Sequence, residues 1–133
     1  MKIHRVSSVV FAILLAVLFI GCGGDDDSIA TQAPSIVGGS LVISDITQTG
    51  ASISAVVNPN GSDTRVIFLV SENDSYTLNT HTVDYGDIGH GDTNVTVTTT
   101  VGSLSDNTLY YCRVSAINLF GQRSEEVTFQ TLP

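Results

Sequence analysis

The stretch TLYYCRVSAINLFG, Thr108–Gly121, decides how the rest of the chain is read. Tyr110, Cys112, Val114 and Ala116 occupy every second position, and Tyr111, Arg113, Ser115 and Ile117 fill the positions between. Side chains of a β-strand alternate between faces with a period of two, so the first set belongs to a dry interior and the second to the opposite face. The same period recurs upstream and downstream. ISAVV (Ile53–Val57) alternates up to the turn signal NPNG, TRVIFLV (Thr64–Val70) puts Val66, Phe68 and Val70 on one side, and VTVTTTV (Val95–Val101) sets valines against threonines. EVTFQT closes the series with Val127 and Phe129 inward. Short β-branched strands spaced by turn residues, with no useful helical period, predict an all-β antiparallel two-sheet sandwich from about Ser35 to Pro133.

Cys112 raises the question of a partner, because the only other cysteine of the 133-residue chain is Cys22. Cys22 belongs to a different kind of sequence. MKIHRVSS is a short basic start, and Val9–Ile20 is an unbroken run of 12 apolar residues. That run fits the apolar region of an export signal and is shorter than the ~20 residues of a spanning helix. It stops at Gly21-Cys22, and FIGC resembles the lipobox of bacterial lipoproteins, with Phe19 where leucine is commonest. The resemblance implies cleavage before Cys22, a signal peptide over residues 1–21, and covalent lipid (palmitate among its chains) on Cys22. An uncleaved anchor helix from about Ser7 to Gly21 is the alternative. In either case the remainder is exported and tethered to a membrane. A lipidated Cys22 forms no disulfide, and Cys112 is then expected to be a buried free thiol that packs as a small hydrophobe.

Residues 22–34, the lipidated cysteine followed by GGDDDSIATQAP, are glycine-rich and acidic without apolar periodicity, which reads as a tether. Gly23, rather than aspartate, follows the cysteine; by the sorting pattern of some bacterial lipoproteins this favours the outer over the inner membrane. Formal net charge is −8, and without residues 1–21 three arginines face 13 acidic side chains, a charge of −10. Phosphate backbones are bound by clustered Lys and Arg, so nucleic acid is not an expected partner. Anionic membrane surfaces repel such a domain, which leaves attachment to the lipid.

LSDNTLYYCRVSAINLFG resembles the strand E–F region of fibronectin type III domains, with Leu104, Thr108, Tyr110, Val114, Ala116, Asn118 and Gly121 at the family's spacing. VVNPNG and TFQT resemble a bacterial branch of the family. Asp106 stands where the family often has proline, and Val57 stands near its usual strand-B tryptophan. The resemblance implies a seven-stranded immunoglobulin-like sandwich. Tyr110 would be the corner tyrosine, bonded to a backbone group a few residues upstream, and Leu104 and Cys112 would be structural. It also implies that no inter-sheet disulfide is needed.

No G-x-S-x-G, H-E-x-x-H or Cys/His metal spacing occurs, so the chain is read as a non-enzyme without cofactor. HTVDYGDIGHGD, His81–Asp92, offers Asp84, Asp87 and Asp92 as oxygen donors for a hard cation such as calcium; the competing and preferred expectation is a solvated loop preceding a strand. Ile67 and Leu69 on one strand and Tyr111, Arg113 and Ile117 on another point outward and are predicted to form one apolar stripe, the composition of an interaction face. The alternative is that Asp74–Asp87 folds over it. Leu119 and Phe120 form either a recognition tip or a packed turn. Two functions follow: an envelope-anchored module binding another envelope or extracellular protein or a glycan, or a structural spacer in a larger envelope assembly with no ligand of its own.

Overall fold

The computed structural model describes residues 32–133. The signal segment, Cys22 and most of the expected tether lie outside the described residues. Eight strands follow one another: β1 (Ser35–Ile36), β2 (Val42–Ser44), β3 (Ala51–Asn58), β4 (Arg65–Ser71), β5 (His81–Asp87), β6 (Val95–Val101), β7 (Leu109–Asn118) and β8 (Gly121–Gln130). β3 is the centre of a first sheet, with β6 on one side and β1 and β2 on the other; β5-β4-β7-β8 form the second. Every pairing is antiparallel.

The expectation of seven strands is corrected to eight. β1 and β2 both pair with the same edge of β3, Ile36 opposite Val57 and Val42 opposite Ser54. They are one edge strand interrupted at Val37–Leu41, where Gly39 takes φ 74°. Gly39 donates its backbone N–H to Glu125 Oε1 of β8 at 2.8 Å, which ties the break to the other sheet. A charged side chain turned toward the gap between two open sheet edges also hinders pairing with a further strand.

The core lies where the alternation put it. Ile53, Ala55 and Val57 of β3, Val66, Phe68 and Val70 of β4, and Cys112, Val114 and Ala116 of β7 are fully buried. Tyr110 stacks on Phe129 with ring centroids 5.7 Å apart. Leu104 is buried in the β6–β7 connection and donates its N–H to the Thr49 carbonyl at 3.0 Å. Gly50 has no room for a side chain, since a Cβ there would lie 2.6 Å from the Val101 carbonyl oxygen.

The second correction concerns His81–Asp92. Its first seven residues are not a loop but β5, the edge strand beside β4. His81 and Val83 alternate with Thr82 and Asp84, a strand signal that the aspartates and glycines obscured. A register shift opposite Val66/Ile67 inserts Tyr85, and Gly86 at φ 103° takes the backbone conformation this irregularity needs.

The connections gather at two ends. At one, the Asn58–Thr64 turn, residues 88–94 and the Leu119-Phe120 turn meet the start of the domain: Gly61 N–H bonds the Gly91 carbonyl, and Asn60 Nδ2 donates to the Ala33 carbonyl at 2.8 Å. Pro34 is fully buried there, and the Gln32 carbonyl accepts from Asn118 Nδ2 at 3.0 Å. At the other end the β6–β7 connection meets the last residues, with Asn107 N–H donating to the Leu132 carbonyl and Leu132 N–H to that of Thr47.

Candidate functional site

Registers fix the outward face of the second sheet row by row. Thr82, Leu69, Arg113 and Glu126 lie side by side across the four strands; so do Asp84, Ile67, Ser115 and Ser124 in the next row, and Asp87, Arg65, Ile117 and Gln122 in the one after. Tyr111 lies between Ser71 and Thr128. The five residues expected outside are therefore on one surface, all half-buried. They do not make a continuous apolar stripe. Ile67 and Leu69 are neighbours, but Ser115 and Arg113 are their partners on β7, and Ile117 sits beside Arg65.

Two charged pairs frame the aliphatic pair. On the β5 side Arg65 grips Asp84 with two N–H groups, a bidentate contact. On the β8 side Arg113 donates to Glu126 Oε2 at 3.1 Å. Tyr76 lies over Arg113, the guanidinium carbon 4.3 Å from the ring centroid, and the Tyr76 hydroxyl donates to the same Glu126 oxygen at 2.8 Å. Burial, and then the bond to and charge of Glu126, raise the Tyr76 pKa well above its ordinary value.

Tyr76 reaches this place because Asn73 organises the connection before β5. Asn73 Oδ1 accepts the N–H groups of Thr77 (2.9 Å) and Leu78 (3.2 Å), while its Nδ2 donates to Thr77 Oγ1 at 2.8 Å. Ser71 Oγ donates to the Leu78 carbonyl at 2.7 Å. Tyr76 itself adopts φ 52°, an uncommon conformation for a bulky side chain. So the segment expected to cover the face divides into two: residues 72–80 lay Tyr76 on Arg113, and β5 widens the sheet. Tyr76 was not singled out from the sequence, and nothing short of the fold brings it to Arg113.

The other sequence-predicted residues are placed as follows. The Tyr110 hydroxyl accepts the Ser105 N–H at 2.8 Å, the geometry of a tyrosine corner. Cys112 is a free, fully buried thiol, its pKa pushed up to about 12 by burial and then by the Glu126 charge. Asp84, Asp87 and Asp92 do not converge: Asp84 is held by Arg65, Asp87 Oδ1 accepts the Gly89 N–H at 2.8 Å, and Asp92 offers its backbone carbonyl to Asn58 Nδ2 at 2.9 Å. Among the described residues no three His, Cys, Asp or Glu side chains form a metal-binding group. Leu119, 91% exposed, projects from the β7–β8 turn, while Phe120, 44% exposed, is partly covered there.

Two depressions accompany these features. A polar cleft of about 340 Å³ lies between the β4–β5 and β6–β7 connections, lined by Glu72, Asn79, His81, Ser103 and Ser105 over Tyr110. Its Glu72 is engaged by Asn79 Nδ2 at 3.0 Å. A shallow apolar groove runs between β2 and β8 over Val42, Ile43, Val127 and Phe129.

Solved structures share this architecture. The sensor domain (short form) of the anti-sigma factor RsgI4 from Pseudobacteroides cellulosolvens is 25% identical, with a TM-score of 0.54 over 79% of this chain and 98% of that one. A computationally redesigned β-sandwich protein is 21% identical, TM-score 0.55, over 76% of this chain and 95% of its own. A fibronectin type III domain of the human KIAA0970 protein is 15% identical, TM-score 0.47, over 78% and 74%. The fold is an all-β sandwich of two antiparallel sheets, shared with the sensor domain and the redesigned protein. No protein-family model matches the chain, and the search of curated proteins gives no match. In this sandwich the tyrosine corner and the buried thiol are parts of the core, and the outward face of β4 and β7 carries the five residues expected to face outward.

Proposed function

We propose that the chain is an envelope lipoprotein, anchored through lipid on Cys22, whose sandwich is a binding or sensing module for another envelope or extracellular protein or a glycan. The observation that carries this is the prepared state of the outward face. Ile67 and Leu69 lie half-exposed between two engaged charge pairs, and Arg113 is held beneath the Tyr76 ring. An arginine and a tyrosine already fixed in position lose little freedom when a partner covers them, which is the condition for an interface anchor. The likeness to a domain that serves as the sensor of an anti-sigma factor supports a recognition role over a passive one. The charge of the exported part argues for a partner that is not anionic, and the reading includes neither a reaction nor a cofactor.

The test uses the full chain in its native envelope. Chemical crosslinking followed by mass spectrometry is compared between the unaltered chain and an Ile67→Lys/Tyr111→Glu variant whose circular dichroism and melting are unchanged. A partner captured by the first and lost from the second supports the module. Identical capture by both removes binding from this face, and none by either returns the chain to the spacer reading.

A further inference from the structure

We infer that the Leu119-Phe120 tip is a second membrane contact, seated on the zwitterionic lipid surface to which the chain is anchored, and that it sets the domain's orientation there. The inference rests on the lipid-anchored reading proposed above.

Three observations lead to it. The first is exposure: in a two-residue turn made of leucine and phenylalanine, Leu119 is 91% exposed and Phe120 keeps 44% of its surface open, so the turn presents apolar surface outward. Turns of this kind ordinarily carry Asn, Asp or Gly. Those residues are present here only at the flanks, where they hold the turn rigid. Asn118 Oδ1 accepts the Phe120 N–H at 2.8 Å, and Gly121 closes the turn opposite Asn118 at φ 147°. The tip is a fixed object.

The second is position. Asn118 Nδ2 donates to the Gln32 carbonyl at 3.0 Å and to that of Pro59 at 3.3 Å, and a Cβ on Gly121 would stand 3.3 Å from Ala33 Cβ. The tip therefore adjoins the place where the chain from Cys22 joins the sandwich. Cys22 precedes Gln32 by ten residues, which span at most about 35 Å. The opposite end, with Leu132 against Thr47, stands a further strand length away, roughly 34 Å for a strand the length of β7. Of the two ends, the one bearing the tip is the end the tether joins, and so the nearer to an anchored lipid.

The third is charge. Asp63 and Asp92 are exposed in the neighbouring turns at this end, and the exported part carries −10 overall. An anionic surface would repel the approach, whereas a zwitterionic one leaves it to apolar burial. Two side chains alone bind a bilayer weakly. The covalent lipid makes their insertion intramolecular, so weak contact suffices to orient the domain. In that orientation the polar cleft over Tyr110 and the C-terminal residues point away from the bilayer, and the outward face of β4 and β7 stands roughly upright.

The chain contains no tryptophan, so a single introduced indole reports on one place. Full-length Leu119→Trp and Leu132→Trp variants are purified with their lipid, the acylated Cys22 is verified by mass, and both are reconstituted into phosphatidylcholine vesicles with or without brominated acyl chains. The expected result is a blue-shifted emission that brominated lipid largely quenches for Leu119→Trp, and a water-like, unquenched emission for Leu132→Trp. Partial replacement by phosphatidylglycerol should weaken the Leu119→Trp quenching. Equal quenching of the two, or none for Leu119→Trp on an acylated chain, overturns the inference while leaving the anchor intact. A Cys22 without acyl groups overturns the anchor and the inference together. Crosslinking of the tip to a protein, with no lipid quenching, assigns it to protein recognition instead.

Discussion

The two faces of β7 are made of the same alternating decapeptide and meet opposite fates. Tyr110, Cys112, Val114 and Ala116 are sealed in a core shared with Phe68 and Val70, while Tyr111, Arg113 and Ile117 remain half-open beside partners that are mostly polar. The inward set is determined by its own strand: period two and apolar character leave it one place to go. The outward set is determined by its neighbours, and those come from β8, from β4 and from a connection more than thirty residues upstream. An inward residue therefore carries the fold, and an outward one is free to carry something else.

The largest effect that would break this contrast is a cavity. Phe68→Ala, at a fully buried site, is expected to cost about 3–5 kcal/mol in denaturant unfolding. Its outward neighbour Leu69, changed to Ala, should cost about 1 kcal/mol, since half-burial realises only part of the transfer value. If the two variants lost equal stability, the outward face would be core in all but name.

The same contrast explains what the sequence did and did not disclose. β3, β4, β6 and β7 were legible because a strand buried on one face advertises it at every second residue. The Tyr110 corner was legible through its spacing to Leu104 and Asn118. β5 was not, because an edge strand needs little apolar surface: Val83 and Tyr85 are its only large apolar side chains, and Asp84, Gly86 and Asp87 read as turn chemistry. The divided edge strand was hidden for a related reason, since Gly38 and Gly39 interrupt it. On the candidate face, Ile67, Leu69, Tyr111, Arg113 and Ile117 were placed on one surface by alternation and strand adjacency. What fills the gaps among them was not predictable. Tyr76 depends on the Asn73 hydrogen bonds and a left-handed backbone, and the Arg65–Asp84 pair depends on the register of β5, whose aspartates and glycines resemble a loop.

Cys112 sharpens the contrast through pH. Its folded-state pKa is raised to about 12, above the ordinary thiol value the unfolded chain would show. The folded state thus holds the proton more tightly, its stabilising effect is complete below about pH 9, and it is lost as pH rises toward 12. Denaturant midpoints should fall progressively across that window, and less so in Cys112→Ala once its lower starting stability is subtracted. In the neutral range a thiol reagent should label Cys112 only on global unfolding, so the labelling rate should track denaturant. Rapid modification of the folded chain would show that the interior beneath Arg113 is open.

The smallest expected effect decides whether the outward face is an ordered structure or a set of independent surface groups. Tyr76, Arg113 and Glu126 share one carboxylate oxygen as their meeting point. Exposed pairs of this kind contribute about 0–1 kcal/mol each, and a cation over an aromatic face at a partly exposed site contributes about 0.5–1 kcal/mol. Tyr76→Leu and Arg113→Met should therefore each destabilise only slightly, and the informative quantity is their coupling. In a double-mutant cycle measured by chemical denaturation, an interaction energy of about 0.5 kcal/mol or more means that the ring and guanidinium act together. That coupling should persist at high salt, because the ring covers the cation, whereas the part owed to the Arg113–Glu126 charges should fade as screening grows. A coupling near zero would mean that Arg113 is not held for a partner in advance. The face would then have to be organised by whatever binds it, at the cost in affinity that ordering free side chains carries.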